Sequence, residues 1–175
     1  MIEVRPYDDL AAMAVLSRLD PHDFMEAELV RGALSGHLAL FAEWRAMEAV
    51  RLVSYVAITS PRRGARPFAV FALANTGQAG VAQAALLARD HHAFRRPLAE
   101  LALAIRQGMP DFAARHEIHR IEARAWADHP TASALLVSLG FSPECDMPGF
   151  GLTGRITFRQ FAWTCPTITP ATERT

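Results

Sequence analysis

The sequence predicts an α/β protein in which a mixed β-sheet carries helices on both faces. Three apolar segments, residues 52–60, 67–75 and 81–89, follow one another closely and are separated by turn-forming residues, which predicts a three-stranded meander. A long helical pattern that starts at Pro97 separates the third segment from another strand pattern at 118–126. Because a helix of that length allows a parallel crossover, we expect strands 81–89 and 118–126 to be parallel neighbours.

The N-terminal part is predicted to be mainly helical. Residues 2–7 alternate in polarity as a short first strand, and Asp8 then caps a helix with an apolar stripe. Further helices are predicted at 23–31, where Gly32 ends the helix, and at 38–48. These helices precede the main strands of the sheet.

Residues 120–141, RIEARAWADHPTASALLVSLGF, predict a strand, a tight turn and a short helix. Apolar and charged side chains alternate from Arg120 to Trp126, which indicates a strand with one covered face. Pro130 suits the first position of a helix because its φ is preset and it has no N–H. Gly140 can adopt the left-handed conformation that ends the helix.

The remaining segments are predicted from their glycine and proline content. Gly108 and Pro110 should stop or bend the helix that starts at Pro97. Residues 143–154 are rich in both and predict a connection to a last strand at 155–163. Residues 166–175 predict a tail after a single domain formed by residues 1–165.

Composition excludes several classes of partner. A chain of 175 residues with 51% hydrophobic content can bury the core of one domain. Its net charge is zero and its acids and bases are interspersed, so we expect no nucleic-acid partner. No apolar run approaches the roughly 20 residues that span a bilayer, and no secretory signal is visible. We therefore expect a soluble, cytoplasmic protein with no membrane partner.

Residues 120–141 resemble the acetyl-CoA-binding second half of GNAT N-acetyltransferases, in which a strand leads to a polar residue, a short helix and a Leu-Gly-Phe ending. Residues 4–16, VRPYDDLAAMAVL, are similar to the opening strand and helix of such proteins. The resemblance implies a mostly antiparallel sheet with a central parallel pair of strands that splay apart. It also implies transfer of an acyl group from acetyl-CoA to an amine of a small molecule or a protein.

Three shorter segments resemble a narrower group, the GNAT-like proteins of short-tailed phages that are classed with their internal virion protein A. They are DFMEA at 23–27, FRRPLAEL at 94–101 and FRQF at 158–161. This resemblance implies an alternative, a catalytically degenerate protein with a structural or assembly role among virion proteins, located in the phage particle.

Phe41 and Trp44 are expected in the core, with a homo-oligomer contact as the alternative.

The resemblance places the cofactor's diphosphate where strand 81–89 ends and the next helix begins, on backbone N–H groups freed by glycines. The equivalent residues 91–97 contain no glycine, so the side chains of two arginines would have to bind the anion instead. The alternative to anion binding is that these two arginines are solvated charges at the start of a helix. The residues implied in cofactor binding are Leu87, Ala88, Arg89, His92, Arg95, Arg96 and Asp128.

Amine acetylation needs a group that takes the amine's proton and an acid that protonates the departing thiolate. Leu136 stands near the place of the tyrosine that is the usual acid in the family. The remaining candidates are Glu122, Tyr55 and His129. Each has a structural alternative: Glu122 can pair with a neighbouring arginine, Tyr55 can be an ordinary strand aromatic, and His129 can cap a helix.

The histidines do not have the spacing of metal ligands. His91 and His92 are adjacent, so in a strand they would point to opposite faces. His116 and His119 are not accompanied by a Cys-x-x-Cys or a helical His-x-x-x-His pattern. We therefore expect no metal site.

Overall fold

A computed structural model describes residues 1–32, 36–60 and 64–165. These ranges form a seven-stranded sheet, with strand order β1-β2-β3-β4-β5-β7-β6, and five α-helices. The predicted tail at 166–175 lies outside the described residues. The elements are β1 (Ile2–Pro6), α1 (Asp9–Leu16), α2 (Pro21–Arg31), α3 (His37–Ala46), a 3₁₀ helix (Met47–Val50), β2 (Arg51–Thr59), β3 (Pro67–Asn75), β4 (Val81–Ala88), α4 (Arg95–Arg115), β5 (Arg120–Trp126), α5 (Ala132–Ser138), β6 (Ser142–Phe150) and β7 (Ile156–Thr164).

The strands β4 and β5 are the parallel pair of an otherwise antiparallel sheet, as the sequence predicted. Their pairing is confined to the first residues of each strand, from Val81 opposite Arg120 to Gln83 opposite Glu122. Both strands continue well beyond this ladder, so they part toward their carboxyl ends. The predicted fold class, a mixed and mostly antiparallel sheet with a central splayed parallel pair, is confirmed.

Helices cover both faces of the sheet. Helices α1 and α3 pack on one face, where Val15, Leu40 and Trp44 join side chains of β2 and β3 in a buried cluster. The prediction that Trp44 is a core residue is confirmed. Helices α4 and α5 pack on the other face against β4, β5 and β7. In the described ranges no helix is long and apolar enough to cross a membrane.

Helix α4 is longer than the sequence predicts. It starts at Arg95 and continues through Gly108 and Pro110 to Arg115, although these two residues predicted a stop or a bend. A proline inside a helix costs about 3 kcal/mol because it removes a hydrogen bond and clashes with the preceding turn. Met109 and Ala113 are buried against the sheet on both sides of Pro110, and this packing outweighs the local cost.

The connection predicted at 143–154 is wrong for most of its length, because Ser142–Phe150 form the edge strand β6. An edge strand needs backbone partners on one side only, and proline is tolerated there and at bulges. The pairing with β7 shifts register between Pro143 and Cys145 and again between Met147 and Phe150. Helix α5 also starts later than predicted, at Ala132 instead of Pro130.

Gly80 holds the start of the β4–β5 pair, since its carbonyl accepts hydrogen bonds from the N–H groups of His119 (2.7 Å) and Arg120 (3.0 Å). Its φ is +70°, and an added Cβ would lie 2.6 Å from His119 Cδ2 and 3.3 Å from the Glu117 carbonyl oxygen. Gly77, in the same turn, has a φ of +79° and nothing within 4 Å of an added Cβ.

We expect Gly80→Ala to lower the free energy of unfolding more than Gly77→Ala, as measured by urea denaturation. Both variants should lose about 1–2 kcal/mol to the left-handed backbone. Gly80→Ala should lose about 1 kcal/mol or more in addition, because the new methyl group overpacks the junction. Equal losses would contradict the role given to Gly80.

Candidate active site

A cavity of about 270 Å³ lies where β4 and β5 part. We call it the splay cavity. Its walls are mostly apolar side chains of β3, β4, β5, α4 and α5, and helix α2 contributes two acids. The polar and ionisable side chains on its lining are Asp23, Glu26, Tyr55, His91, Arg124, His129 and Thr131. An apolar cavity with a few converging polar groups is the usual form of a small-molecule site.

Helix α2 bridges the ends of the two splayed strands. Asp23 Oδ2 accepts a hydrogen bond from the N–H of Ala88, the last residue of β4 (2.7 Å). Glu26 Oε2 accepts one from the N–H of Trp126, the last residue of β5 (3.0 Å). Residues three apart lie on one face of a helix, so one turn of α2 satisfies a backbone donor on each strand.

Asp20 ties the start of α2 to the turn that follows β4. As the helix N-cap it accepts a hydrogen bond from the His22 N–H through Oδ1 (3.0 Å), and its Oδ2 accepts one from the His91 N–H (3.0 Å). Its own N–H donates to the Ala88 carbonyl (2.9 Å). Asp20, Asp23 and Glu26, the α2 acids, therefore lie together at the carboxyl end of the splay.

Asp23 is the centre of a buried hydrogen-bond network. Its Oδ1 lies 3.0 Å from His91 Nε2 and 3.1 Å from His129 Nε2. Asp23 is 8% exposed and His129 is 5% exposed. His129 Nδ1 accepts hydrogen bonds from the N–H groups of Thr131 (3.2 Å) and Ala132 (3.1 Å), the first turn of α5. Because Nδ1 is the acceptor, this network assigns the ring proton of His129 to Nε2.

The protonation of His91 is coupled to that network. Burial by itself lowers the pKa of His91, but the hydrogen bond and charge of Asp23 and the charges of Asp20 and Asp90 outweigh it, so this pKa is raised. For Asp23, burial raises the pKa, and the hydrogen bonds from His129 and His91 overcome it, so the pKa is lowered. The buried carboxylate of Asp23 thus favours the protonated form of His91. Its Nδ1 lies 2.9 Å from Thr131 Oγ1.

The pKa of Glu26 shifts in the opposite direction to the pKa of Asp23. Burial raises the pKa of its carboxyl group, and the negative charge of Asp23 acts in the same direction. The hydrogen bond from the Trp126 N–H and the electrostatic effect of the His129 ring oppose this rise without cancelling it. The splay cavity therefore contains a carboxyl group of raised pKa and an imidazole of raised pKa, the combination that acid–base chemistry requires.

Asp23, His91 and His129 could also be taken for a metal site, since one ligand atom from each lies within 4.8 Å of the others. A metal-bound imidazole presents a bare nitrogen to the metal and donates its other N–H to an acceptor. His129 has the reverse arrangement, because its Nδ1 accepts two backbone N–H groups and its Nε2 carries the proton. This arrangement fits a hydrogen-bond network, and the absence of a metal stays a prediction.

The three predicted catalytic residues lie in different places. His129 lines the splay cavity and also accepts hydrogen bonds from the start of α5, which matches the helix-capping role given as its structural alternative. Its catalytic role stays a prediction. Tyr55 lines the same cavity, with its ring 5.5 Å from that of Phe71. Glu122 is not among the lining residues. It accepts a hydrogen bond from Arg120 Nε (2.7 Å), and Arg120 also pairs with Glu144, so Glu122 belongs to a surface ion-pair group.

The residues predicted to bind the cofactor are also divided. Leu87 lines the splay cavity, and the N–H of Ala88 is bound by Asp23. Asp128 is exposed and does not line the cavity. Arg89 donates from Nη1 to the Pro67 carbonyl (2.9 Å).

A second cavity of about 160 Å³ contains three of the predicted residues. His92, Arg95 and Arg96 line it together with Thr59 and Arg66. The guanidinium groups of Arg66 and Arg89 lie 5.6 Å and 5.3 Å from the centre of the Phe94 ring. Arg66, Arg89, Arg95 and Arg96, which we call the arginine cluster, therefore gather at the start of α4.

Sequence reasoning missed the centre of the network. The sequence patterns place His91 among possible metal ligands and within the segment 91–97 expected near the diphosphate, and they give Asp23 and Glu26 no role in the site. A usable signal was present, since Asp23 and Glu26 lie three residues apart in the helix predicted at 23–31 and would share one face. Nothing local to α2 indicates that this face meets the ends of β4 and β5.

Comparison with known proteins identifies the fold. No family model matches the sequence, and no curated protein matches it. Among solved structures, a GNAT-family acetyltransferase from Bacillus anthracis superposes with a TM-score of 0.69 at 8% identity, covering 93% of this chain and 94% of that one. A spermidine N-acetyltransferase from Vibrio cholerae, in complex with CoA and spermine, has a TM-score of 0.65 at 11% identity, with 94% and 95% covered.

The same fold occurs in the ribosomal-protein-S18-alanine N-acetyltransferase from Escherichia coli, with a TM-score of 0.62 at 12% identity and coverage of 99% and 100%. At such low identity the likeness concerns the fold. The chain therefore has the fold of GNAT acetyltransferases over its whole described length.

Proposed function

We propose that the protein is an acyltransferase that takes an acyl group from a CoA thioester and transfers it to an amine. The observation that carries this proposal is the splay cavity, in which apolar walls meet a group of ionisable side chains that includes Asp23, Glu26, His91 and His129. The apolar walls suit an acyl group and its aliphatic arm, and the ionisable groups suit the proton transfers of acylation.

The arginine cluster supports binding of the phosphate groups of CoA. Burial lowers the pKa of Arg89, and the like charges of Arg18 and Arg66 lower it further. An anion beside these side chains would relieve that repulsion and form charge-assisted hydrogen bonds. The positive end of α4 acts in the same direction. When bound there, the cofactor would supply an activated acyl group to the splay cavity.

The amine acceptor is proposed from charge and from the names of proteins with the same fold. The α2 acids form a negative group at the carboxyl end of the splay, which would attract an ammonium ion. Two of the structures with this fold are named as acetyltransferases of spermidine and of a ribosomal-protein alanine. Both acceptors are amines, so spermidine and a peptide with N-terminal alanine are suitable first probes.

Filling the splay cavity tests the proposal. Ala85 lies on β4, is exposed and lines the cavity, so Ala85→Phe should be tolerated by the fold while occupying the space. We expect this variant to bind acetyl-CoA at least tenfold more weakly than the wild type in calorimetry, a loss of about 1.4 kcal/mol. Ala104→Phe, at an exposed position on α4 that does not line the cavity, is the matched control and should bind as the wild type does.

A second role, structural and without catalysis, is favoured by one observation. Asp23 and Glu26 already occupy the N–H groups of Ala88 and Trp126, and no glycine lies between Arg89 and Phe94. In this reading α2 is a permanent brace of a GNAT-fold protein that serves in virion assembly. Acetyl-CoA at 100 times its Kd should stabilise an enzyme by about 2.7 kcal/mol. An unchanged Tm at millimolar acetyl-CoA would favour the structural role.

A further inference from the structure

We propose that Glu26 accepts the proton that the amine loses and that His91 donates a proton to the departing thiolate, with Asp23 as the residue that positions His91. The two groups enter the splay cavity from its two sides. Glu26 is bound to the end of β5, and His91 lies in the turn after β4. This inference rests on the proposed acyl transfer, and it names residues that the sequence patterns did not suggest for catalysis.

Glu26 has the geometry of a proton acceptor. One carboxylate oxygen, Oε2, is held by the Trp126 N–H, which fixes the orientation of the group. Among the residues that the structure describes, Oε1 has no hydrogen-bond donor, and Glu26 lines the cavity. Burial raises its pKa, so its carboxylate is a stronger base than an exposed one and is better matched to a proton transfer near neutral pH.

His91 has the geometry of a proton donor. Its Nε2 is engaged by Asp23 Oδ1 at 3.0 Å, and its Nδ1 faces the Thr131 hydroxyl at 2.9 Å. Thr131 is an exposed residue on the cavity lining, so a ligand atom that takes the place of its hydroxyl could receive the Nδ1 proton. His129 cannot do the same, because its Nδ1 accepts two backbone N–H groups.

The proton transfers balance without an oxidant or a further reactant. An acceptor that arrives as an ammonium ion first releases one proton to solvent, because only the neutral amine has the lone pair that attacks. The amine nitrogen then forms a bond to the carbonyl carbon, and the bond from that carbon to sulfur breaks. Glu26 takes one proton from the nitrogen, and His91 gives one proton to the sulfur. Glu26 is then protonated and His91 has lost its charge, and exchange of one proton with solvent restores both groups.

Several charged groups face this pair and shape its pH dependence. Asp20, Asp23 and Asp90 act on His91. Asp23 and His129 act on Glu26, and Arg124 lies on the lining of the same cavity. His22 is hydrogen-bonded to Asp20 (3.2 Å), and its ring lies 5.7 Å from that of His129. Turnover should rise as Glu26 loses its proton, above its ordinary pKa of 4.5, and fall as His91 loses its own, above 6.5.

The first experiment compares Glu26→Gln and His91→Gln with the wild type in thiol release from acetyl-CoA, using spermidine and an N-terminal alanine peptide as acceptors. We expect each variant to lose about 100-fold or more in kcat, the range of one general acid or base. The Kd for acetyl-CoA should change by less than about twofold. Glu26→Gln should lose the acidic limb of the pH profile and His91→Gln the alkaline limb. Glu28→Gln on the same helix and His37→Gln on α3 are the controls.

The second experiment does not depend on activity. An NMR titration of the His91 ring should give a pKa above the ordinary value of 6.5 in the wild type and a lower one in Asp23→Asn. An ordinary or lowered value in the wild type would overturn the role of His91.

The outcomes separate this inference from the proposed function. Turnover by Glu26→Gln and His91→Gln that keeps both pH limbs overturns the inference and leaves acyl transfer in place. If the wild type binds acetyl-CoA but releases no thiol in the presence of either amine, the inference is also overturned. If the wild type does not bind acetyl-CoA at all, the proposed function falls, and the inference falls with it.

Discussion

Asp23→Ala is expected to lower the free energy of unfolding by about 3–5 kcal/mol, the range for removing one partner of a buried ion pair. The change removes the acceptor of the Ala88 N–H and leaves the imidazoles of His91 and His129 without their shared carboxylate. It also releases α2 from β4. Urea denaturation at neutral pH measures the loss.

The control for this variant is Asp111→Ala, which removes an exposed carboxylate from α4. A surface substitution of that kind should change stability by no more than about 0.5 kcal/mol. A similar small change for Asp23→Ala would show that the buried network contributes little to the fold.

The same network predicts how stability depends on pH. Because the pKa of Asp23 is lowered on folding, its contribution is complete above the ordinary value of 3.8 and is lost as pH falls through the folded value. Because the pKa of His91 is raised, its contribution is complete below 6.5 and is lost as pH rises through the folded value. The stability from this pair should therefore be greatest between about pH 3.8 and 6.5.

Glu26 adds a separate loss that begins within this range, since a carboxyl group whose pKa is raised on folding destabilises the fold as pH rises above its ordinary value of 4.5. Tm measured from pH 3 to 9 for the wild type and for Asp23→Asn checks this. The Tm of Asp23→Asn should fall less than the Tm of the wild type as pH decreases below about 3.8, and also as pH increases above about 6.5. Identical profiles would contradict the assignment.

Replacing Arg95 and Arg96 together by alanine is expected to weaken binding of CoA at least tenfold. Each charge-assisted contact to a phosphate is worth about 1.5–3 kcal/mol, and both side chains line the second cavity at the start of α4. Binding of pantetheine, which carries no phosphate, should hardly change. Calorimetry on the wild type and the double variant measures both ligands.

A matched control is the double variant Arg106→Ala and Arg115→Ala, which removes two exposed arginines from the later part of the same helix. It should bind CoA as the wild type does. Equal binding of CoA by the Arg95 and Arg96 variant would remove these side chains from the site and leave Arg66 and Arg89 as the remaining basic candidates.

Much of the architecture could be predicted because it depends on local patterns. The alternation at 120–126 and the apolar run at 81–88 both became strands, and the long helix between them made their parallel pairing predictable. Gly32 and Gly140 end helices or turns with φ values of +69° and +96°, as their position after an apolar stripe predicted. Predictions from local patterns were wrong at Pro110, where packing against the sheet tolerates a proline inside a helix. They were also wrong in β6, where the edge position tolerates prolines in a strand.

The candidate site shows where prediction from the sequence ends. Asp23 and His129 are 106 positions apart, and their contact exists only because β4 and β5 diverge and α2 fills the gap between their ends. The order of the elements apart from β6, the parallel pair and the basic residues at the start of α4 could all be predicted from local sequence patterns. The meeting of one turn of α2 with both strand ends depends on the tertiary structure, because burial and the need to satisfy unpaired backbone N–H groups act between distant segments. That meeting raises the pKa of Glu26 and the pKa of His91, and the proposed chemistry depends on both groups.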